Sequence, residues 1–277
     1  MSSSSSSPLL GMIGAGNMGS SLIGGLIQKG YSPTQIIVCD RHLEKCAHLH
    51  QKYGIRTTSQ WQDLIQVEVL VIAIKPAGVL PFLTDLAPCL LEPFPLLISV
   101  AAGLTTSQLH EKLNGKKVPL IRAMPNTPTL MGVGVTGLFA TAAVSSLQRQ
   151  QAQQLFQAVG EAVWLEEENW LDIVTALSGS GPAYFFYFME GLRESAIAQG
   201  LPAKIANQLT LDTALGSAYM ARHSQEDIQA LRQQVTSPGG TTEQALEVLK
   251  AGKLNALLAK ALRAATEHCK ILSEKYQ

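Results

Sequence analysis

The sequence lacks an excess of charge of either sign. Its 277 residues carry 21 Lys and Arg against 21 Asp and Glu, a formal net charge of zero. The field that draws in a polyanion is missing, so nucleic acid is not an expected partner. Cysteine is scarce, with only Cys39, Cys46, Cys89 and Cys269, and none form a C-x-x-C pair. That argues against a disulfide framework or a structural zinc site and fits a reducing, cytoplasmic setting. No apolar run reaches the ~20 residues of a membrane span, and the aromatic-rich stretch 184–189 is far shorter, so no membrane association is expected. A basic n-region followed by an isolated apolar h-region is absent, so no secretory signal is expected. Charged residues make up only 15% against 46% apolar, which supplies a sizeable core and rules out general disorder. At about 150 residues per domain, the length suggests one large domain or two modest ones.

The chain opens with Met1 and serine at positions 2 to 7. Residues 1–8 read as a disordered Ser-rich tail that can bury nothing. From residue 9 to about 166, apolar runs alternate with helical patterns. Residues 9–13, 36–39, 69–74, 96–100 and 118–121 are rich in Val, Ile and Leu without polar alternation, as in strands covered on both faces. Helical stretches lie between them, and Ser145 with Gln148 forms a capping box. This alternation predicts a Rossmann-type doubly wound α/β sheet over 9–166. The acidic stretch 166–168 marks the boundary. Beyond it, 169–199, 202–223, 242–250 and 254–275 read as helices, so 167–277 is predicted to be all-α.

The sharpest local signal is Gly14-Ala15-Gly16-Asn17-Met18-Gly19, a G-x-G-x-x-G directly after the first strand. Gly14 permits the tight turn, Gly16 lets a pyrophosphate approach the backbone, and Gly19 lets helix and strand pack closely. Amides at the helix start, with its positive dipole end, favour phosphate. Asp40, 21 positions after Gly19, stands where a ribose-reading residue belongs. Its carboxylate would repel a 2′-phosphate that the adjacent Arg41 would attract, so the pair leaves NADH and NADPH both open. Ala73-Ile74-Lys75-Pro76 closes the third apolar strand at the crevice edge. There Pro76 would stop the strand and Lys75 could equally be a surface lysine. Ala101 permits close cofactor approach. Asn126 could meet a nicotinamide carboxamide or simply serve a turn.

Two segments of the second half stand out. Ser178-Gly179-Ser180-Gly181-Pro182-Ala183-Tyr184 interrupts a helical stretch at a cost of about 1 kcal/mol per glycine and 3 for proline, which implies a kink or a close contact. Thr236-Ser237-Pro238-Gly239-Gly240-Thr241-Thr242-Glu243-Gln244 reads as a turn into a helix, with Thr241 and Gln244 as a capping box. Hydroxyls and helix-start amides there would suit a small carboxylate, although a plain capped turn reads the same way. His42, Cys46 and His50 share one helical face while His48 does not. No carboxylate or second cluster completes a set, so no metal is expected. No Ser–His–Asp order or paired-carboxylate signature is evident.

Together these segments resemble the pyrroline-5-carboxylate reductase family. The resemblance is carried by Ile13–Gly19, Ile74-Lys75-Pro76, Ser99-Val100-Ala101-Ala102-Gly103, Arg122-Ala123-Met124-Pro125-Asn126-Thr127-Pro128, Leu177 to Tyr184 and Ser237-Pro238-Gly239-Gly240-Thr241-Thr242, in family order. It implies NAD(P)H-dependent reduction of L-1-pyrroline-5-carboxylate to L-proline, the last step of proline biosynthesis. It implies a helical substrate and dimerisation domain after the Rossmann domain, with homodimers that can assemble further, as decamers. The second-half loops of one subunit would complete a site over the cofactor of the other. Cofactor contacts would come from Gly14, Gly16, Asn17, Met18, Gly19, Asp40, Arg41, Ala73, Lys75, Pro76, Ala101 and Asn126. Ser237, Gly240, Thr241 and Thr242 would hold the substrate, with Thr242 beside the ring nitrogen as the catalytic residue. One departure stands out: many members carry a glutamate in a Glu-His-Pro context ten positions before the valine of this turn, and here that position is Gln225. A hydroxyacid reductase on the same architecture commonly needs a lysine on the inter-domain helix, and 178–184 has none. A non-catalytic dinucleotide-binding protein is the remaining alternative.

Overall fold

The computed structural model describes residues 8–275. The expected serine tail lies outside them except for Pro8, whose carbonyl accepts the Tyr31 hydroxyl. The first part runs β1 (Leu10–Ile13), α1 (Asn17–Gln28), β2 (Ile36–Cys39), α2 (Leu43–Tyr53), β3 (Arg56–Thr58), β4 (Val69–Ile72), α3 (Pro76–Leu86), β5 (Leu96–Ser99), α4 (Thr106–Glu111), β6 (Leu120–Met124), β7 (Gly134–Ala140), α5 (Ser146–Gln157) and β8 (Gly160–Trp164).

The strands form one sheet in the order β3-β2-β1-β4-β5-β6-β7-β8. The first six are parallel; β7 runs antiparallel to β6, and β8 is parallel to β7. The order reverses between β1 and β4, the switch point of a doubly wound fold. The five apolar runs form five of these strands because both faces are covered. Leu10, Met12, Val69 and Val71 face one core with Leu22, Leu26 and Phe156. Leu70, Ile72 and Leu97 face the other with Val79, Leu83 and Leu109.

Three strands escaped the sequence reading. β3 is three residues long with no large apolar side chain, and β7 and β8 carry glycine at their starts, which weakens the strand signal. Both capping boxes of this region are formed, by Thr105 with Gln108 and by Ser145 with Gln148.

The second part is helical: α6 (Trp170–Val174), a π-helical turn (Thr175–Gly179), α7 (Gly181–Ala198), α8 (Ala203–His223), α9 (Ile228–Gln234), α10 (Thr241–Ala251) and α11 (Leu254–Glu274). α9 was not anticipated; Asp227 opens it by accepting the Ala230 amide at 2.7 Å. Of the segment 178–184, Ser178 and Gly179 end the π-helical turn and Gly181 opens α7, so the regular helix is interrupted there. The Ser180 amide reaches back five residues to the Thr175 carbonyl at 2.8 Å, a π-turn of the kind found at functional sites.

By compactness the chain divides at Ser180, with residues from Ala265 onward joining the first unit and Gly181–Ala264 forming the second. This differs from the boundary at 166. The segment after β8 packs on the sheet unit, burying Leu171 and Ala176, and the Leu165 amide bonds the Leu138 carbonyl at 2.8 Å.

Helix α1 approaches the α5–β8 connection through Gly25. A Cβ there would lie 2.7 Å from the Ala158 carbonyl oxygen and 2.3 Å from Val159 Cγ1. Gly25→Ala is expected to lose about 1–3 kcal/mol by overpacking, despite alanine's better helix propensity. Thermal unfolding followed by circular dichroism checks this; an unchanged or raised midpoint would contradict it.

Candidate active site

The carboxyl ends of the parallel strands bring the sequence-predicted cofactor residues together. Gly14 follows β1 with φ +106°. Its amide donates to the Cys39 carbonyl at 2.8 Å. A Cβ on Gly14 would lie 2.4 Å from the Ala73 carbonyl oxygen, so only glycine fits the switch point. Gly19 is equally constrained, with the Gly14 carbonyl oxygen 2.3 Å from a Cβ. Gly16 differs: nothing lies within 4 Å of its Cβ position, so its backbone faces open space. It is the N-cap of α1, whose first turn has no side-chain cap and no acidic residue. Asn17 is exposed at that turn, and Met18 is half-buried, its sulfur accepting the Thr129 hydroxyl at 3.7 Å. Open backbone, free helix-start amides and no nearby acid in the turn fit a pyrophosphate.

Asp40 ends the β2 edge. One carboxylate oxygen accepts the Ala15 amide at 2.7 Å and the other the His42 amide at 2.8 Å. Arg41 is exposed, and its Nε donates to His42 Nε2 at 3.3 Å. Ala73 bonds the Ile13 carbonyl through its amide at 2.7 Å. Lys75 is exposed. Pro76 does not stop the strand, because β4 ends at Ile72; Pro76 instead occupies the first position of α3, which its fixed φ suits. Ala101 is 7% exposed, directly after β5.

Asn126 is tied into the surrounding loops by its side chain. Its Oδ1 accepts the Val135 amide at 2.9 Å and its Nδ2 donates to the Ser178 carbonyl at 3.2 Å. The side chain brackets the start of β7 to the π-turn, a structural tie of the kind the turn reading expects. Gly179 meets the same loop, where a Cβ would lie 2.8 Å from Met124 Cε.

The sequence reading missed a charged cluster. Arg122 Nη1 pairs with Glu168 Oε1 at 2.7 Å. The same carboxylate accepts the Thr106 amide and hydroxyl, each at 2.6 Å. Glu168 had read only as part of a boundary, and nothing local signals a partner 46 positions away. The end of α11 also anchors this loop, with Gln108 Nε2 donating to the Ser273 carbonyl at 2.9 Å.

The residues expected to hold the substrate lie on the other compact unit. Gly239 has φ +72°, and the Gly240 amide closes the turn onto the Ser237 carbonyl at 3.0 Å. The expected Thr241–Gln244 capping box is not formed. α10 begins at Thr241 with Gly240 as N-cap and no side-chain cap. Glu243 fills part of that role, accepting the Gly239 amide at 2.7 Å. Ser237, Thr241 and Thr242 are exposed. Gln225 is exposed, and the neighbouring Asp227 is the cap of α9. In the region of His42, the His50 ring engages the Ile55 carbonyl at 2.8 Å and Cys46 is buried.

A glycine loop at the switch point of a doubly wound sheet, with an acidic side chain at the next strand end, defines a Rossmann-type nicotinamide-dependent oxidoreductase. Residues 9–103 match the family model for NADP oxidoreductases, coenzyme F420-dependent, and residues 168–272 match that for pyrroline-5-carboxylate reductase dimerisation. The pyrroline-5-carboxylate reductase of Pseudomonas aeruginosa is 42% identical over 98% of both chains. The solved structure of the Coxiella burnetii reductase has a TM-score of 0.93 at 42% identity, covering 96% of this chain and 99% of that one. That of Plasmodium falciparum, solved with NADP bound, has a TM-score of 0.84 at 28% identity, covering 97% and 99%. The chain belongs to the pyrroline-5-carboxylate reductase family.

Asp172 joins the charged cluster. Burial pushes its carboxyl up, and the attraction of Arg122 and Lys270 only partly opposes this. Folding therefore favours its protonated form. Asp172 adds stability below its unfolded pKa of 3.8 and loses it as the pH rises through the raised folded value. Asp172→Asn is expected to melt higher than the parent at neutral pH, with the gap closing as the pH falls through ~4. Melting curves across pH check this; a variant less stable at neutral pH would contradict it.

Proposed function

We propose that this chain reduces L-1-pyrroline-5-carboxylate to L-proline with NADH or NADPH held on the 14–19 loop and the substrate held on the 237–242 turn. Family membership supports the reaction. The observation that carries the substrate assignment is the start of α10 on Gly240 without a side-chain cap, where the neighbouring Gly239 amide donates to a carboxylate oxygen, that of Glu243, at 2.7 Å.

The substrate is a cyclic imine bearing a carboxylate. When bound, the reduced nicotinamide supplies the hydride to the imine carbon. The chain's own residues orient the ring and manage charge. Amides at the start of α10 and the hydroxyls of Ser237 and Thr241 hold the carboxylate without a lysine or arginine. The Thr242 hydroxyl oxygen would accept the N–H of the ring nitrogen, favouring the protonated imine, the better hydride acceptor. Residues 167–277 act as the substrate and dimerisation domain.

The helical unit supports assembly with further copies. The first half of α7, residues 183–189, is apolar on several faces, with Phe185, Phe186 and Tyr187 at 67%, 65% and 78% exposure. A helix of that kind needs covering. A second copy through α7 gives the homodimer, and five dimers give a decamer. Among the described residues no helix is long and apolar enough to cross a membrane. A cytoplasmic setting would keep the four unpaired thiols reduced.

Oxidation of NADH or NADPH that depends on the imine and yields proline tests the reaction. Absence of turnover with both cofactors, in folded protein, would overturn it. In the same assay, Thr242→Ala is expected to lower kcat by about 10²-fold with cofactor affinity unchanged; parental kinetics would remove Thr242 from the site. Phe186→Glu is expected to shift the dimer toward monomer in sedimentation, and the parent run reads the decamer directly.

A further inference from the structure

The sequence leaves the choice between NADH and NADPH open because Asp40 and Arg41 pull in opposite directions. The geometry separates them. The Asp40 carboxylate is fixed at both oxygens, by the Ala15 amide of the glycine loop and by the His42 amide beyond β2. Burial raises its carboxyl, but these two bonds, aided by the charge of Lys45, outweigh burial and hold it below the ordinary carboxylate range. At neutral pH it is therefore an anion, half-buried and unable to turn away without breaking the loop's own hydrogen bond.

Arg41 has no such restraint. It is exposed, and its Nε–H points to the His42 ring at 3.3 Å. His42 in turn lies 3.4 Å from Glu44. Around the strand end the cations, Arg41 and Lys45, are exposed side chains in water, whereas the anion is built into the loop. A ribose 2′-hydroxyl donates to such a carboxylate; a 2′-phosphate offers only acceptors and like charge. The fixed group outweighs the swinging ones, because a flexible, hydrated cation spends side-chain entropy and solvation to bind.

We infer that Asp40 makes this chain select NADH over NADPH, with Arg41 keeping NADPH usable but weaker. The inference rests on the 14–19 loop being the dinucleotide site. It runs against the NADP held by the P. falciparum relative.

Equilibrium titration of the full chain with NADH and with NADPH, read by nicotinamide fluorescence without substrate, tests it. The expected result is a Kd for NADH about tenfold or more below that for NADPH. Asp40→Ser is expected to narrow or invert that ratio, and Arg41→Ala to weaken NADPH while sparing NADH. Equal or tighter NADPH binding by the parent overturns the inference while leaving the reductase reading intact. If neither nucleotide binds folded protein, the dinucleotide site itself fails and the inference with it. Should Asp40→Ser not fold, the parental ratio decides alone.

Discussion

The carboxyl edge of the sheet depends on the backbone of Gly14 lying against the Ala73 carbonyl. A Cβ would stand 2.4 Å from that oxygen, a distance no adjustment of a side chain relieves. Because Gly14 sits there in a left-handed conformation, the chain turns sharply enough for α1 to start over β1. Gly19 then packs on the Gly14 carbonyl. The Ala15 amide is left facing Asp40, and the Gly16 backbone faces open space. The proposed phosphate cradle and ribose reader are consequences of the same close contact.

The other loops of that edge are held by ties that are distant in sequence. Arg122, Glu168 and Thr106 connect β6, the segment after β8 and the start of α4. A partly buried pair like this contributes little net stability against its desolvation, yet removing one partner strands a charge. Its effect is to fix where the 100–106 loop lies relative to Met124 and Asn126. Asn126 does the same by hydrogen bonds to Val135 and Ser178. These residues shape the crevice without needing to touch a ligand.

What was legible in the sequence follows from the range of the forces involved. The five strands with both faces buried announced themselves as continuous apolar runs. The glycine loop was legible because each glycine answers a local steric demand. β3, β7 and β8 were not, since their pairing depends on neighbours already in place rather than on their own composition. The side-chain partners of Asn126 were not legible because they lie 9 and 52 positions away, nor was that of Glu168, 46 away. The Thr241–Gln244 box failed for a nearer reason. α10 starts on Gly240 as N-cap, so Thr241 already lies inside the first turn and is not in the cap position, while Glu243 reaches back to the Gly239 amide.

The N-termini of the helices reveal how a chain of zero net charge handles anions. α4, α5 and α9 are closed by their own Thr105, Ser145 and Asp227 side chains. α1 and α10 open on glycine, Gly16 and Gly240, with no side-chain cap. Glycine there leaves amides without a Cβ in front of them. A helix end alone contributes at most ~2 kcal/mol to an anion, whereas even a millimolar ligand requires about 4. The 237–242 turn therefore cannot hold a carboxylate by its dipole alone. Hydroxyl bonds at about 0.5–1.5 kcal/mol each can close that gap, so the serine and threonine around the glycines of this turn are consistent with the proposed carboxylate site without an arginine.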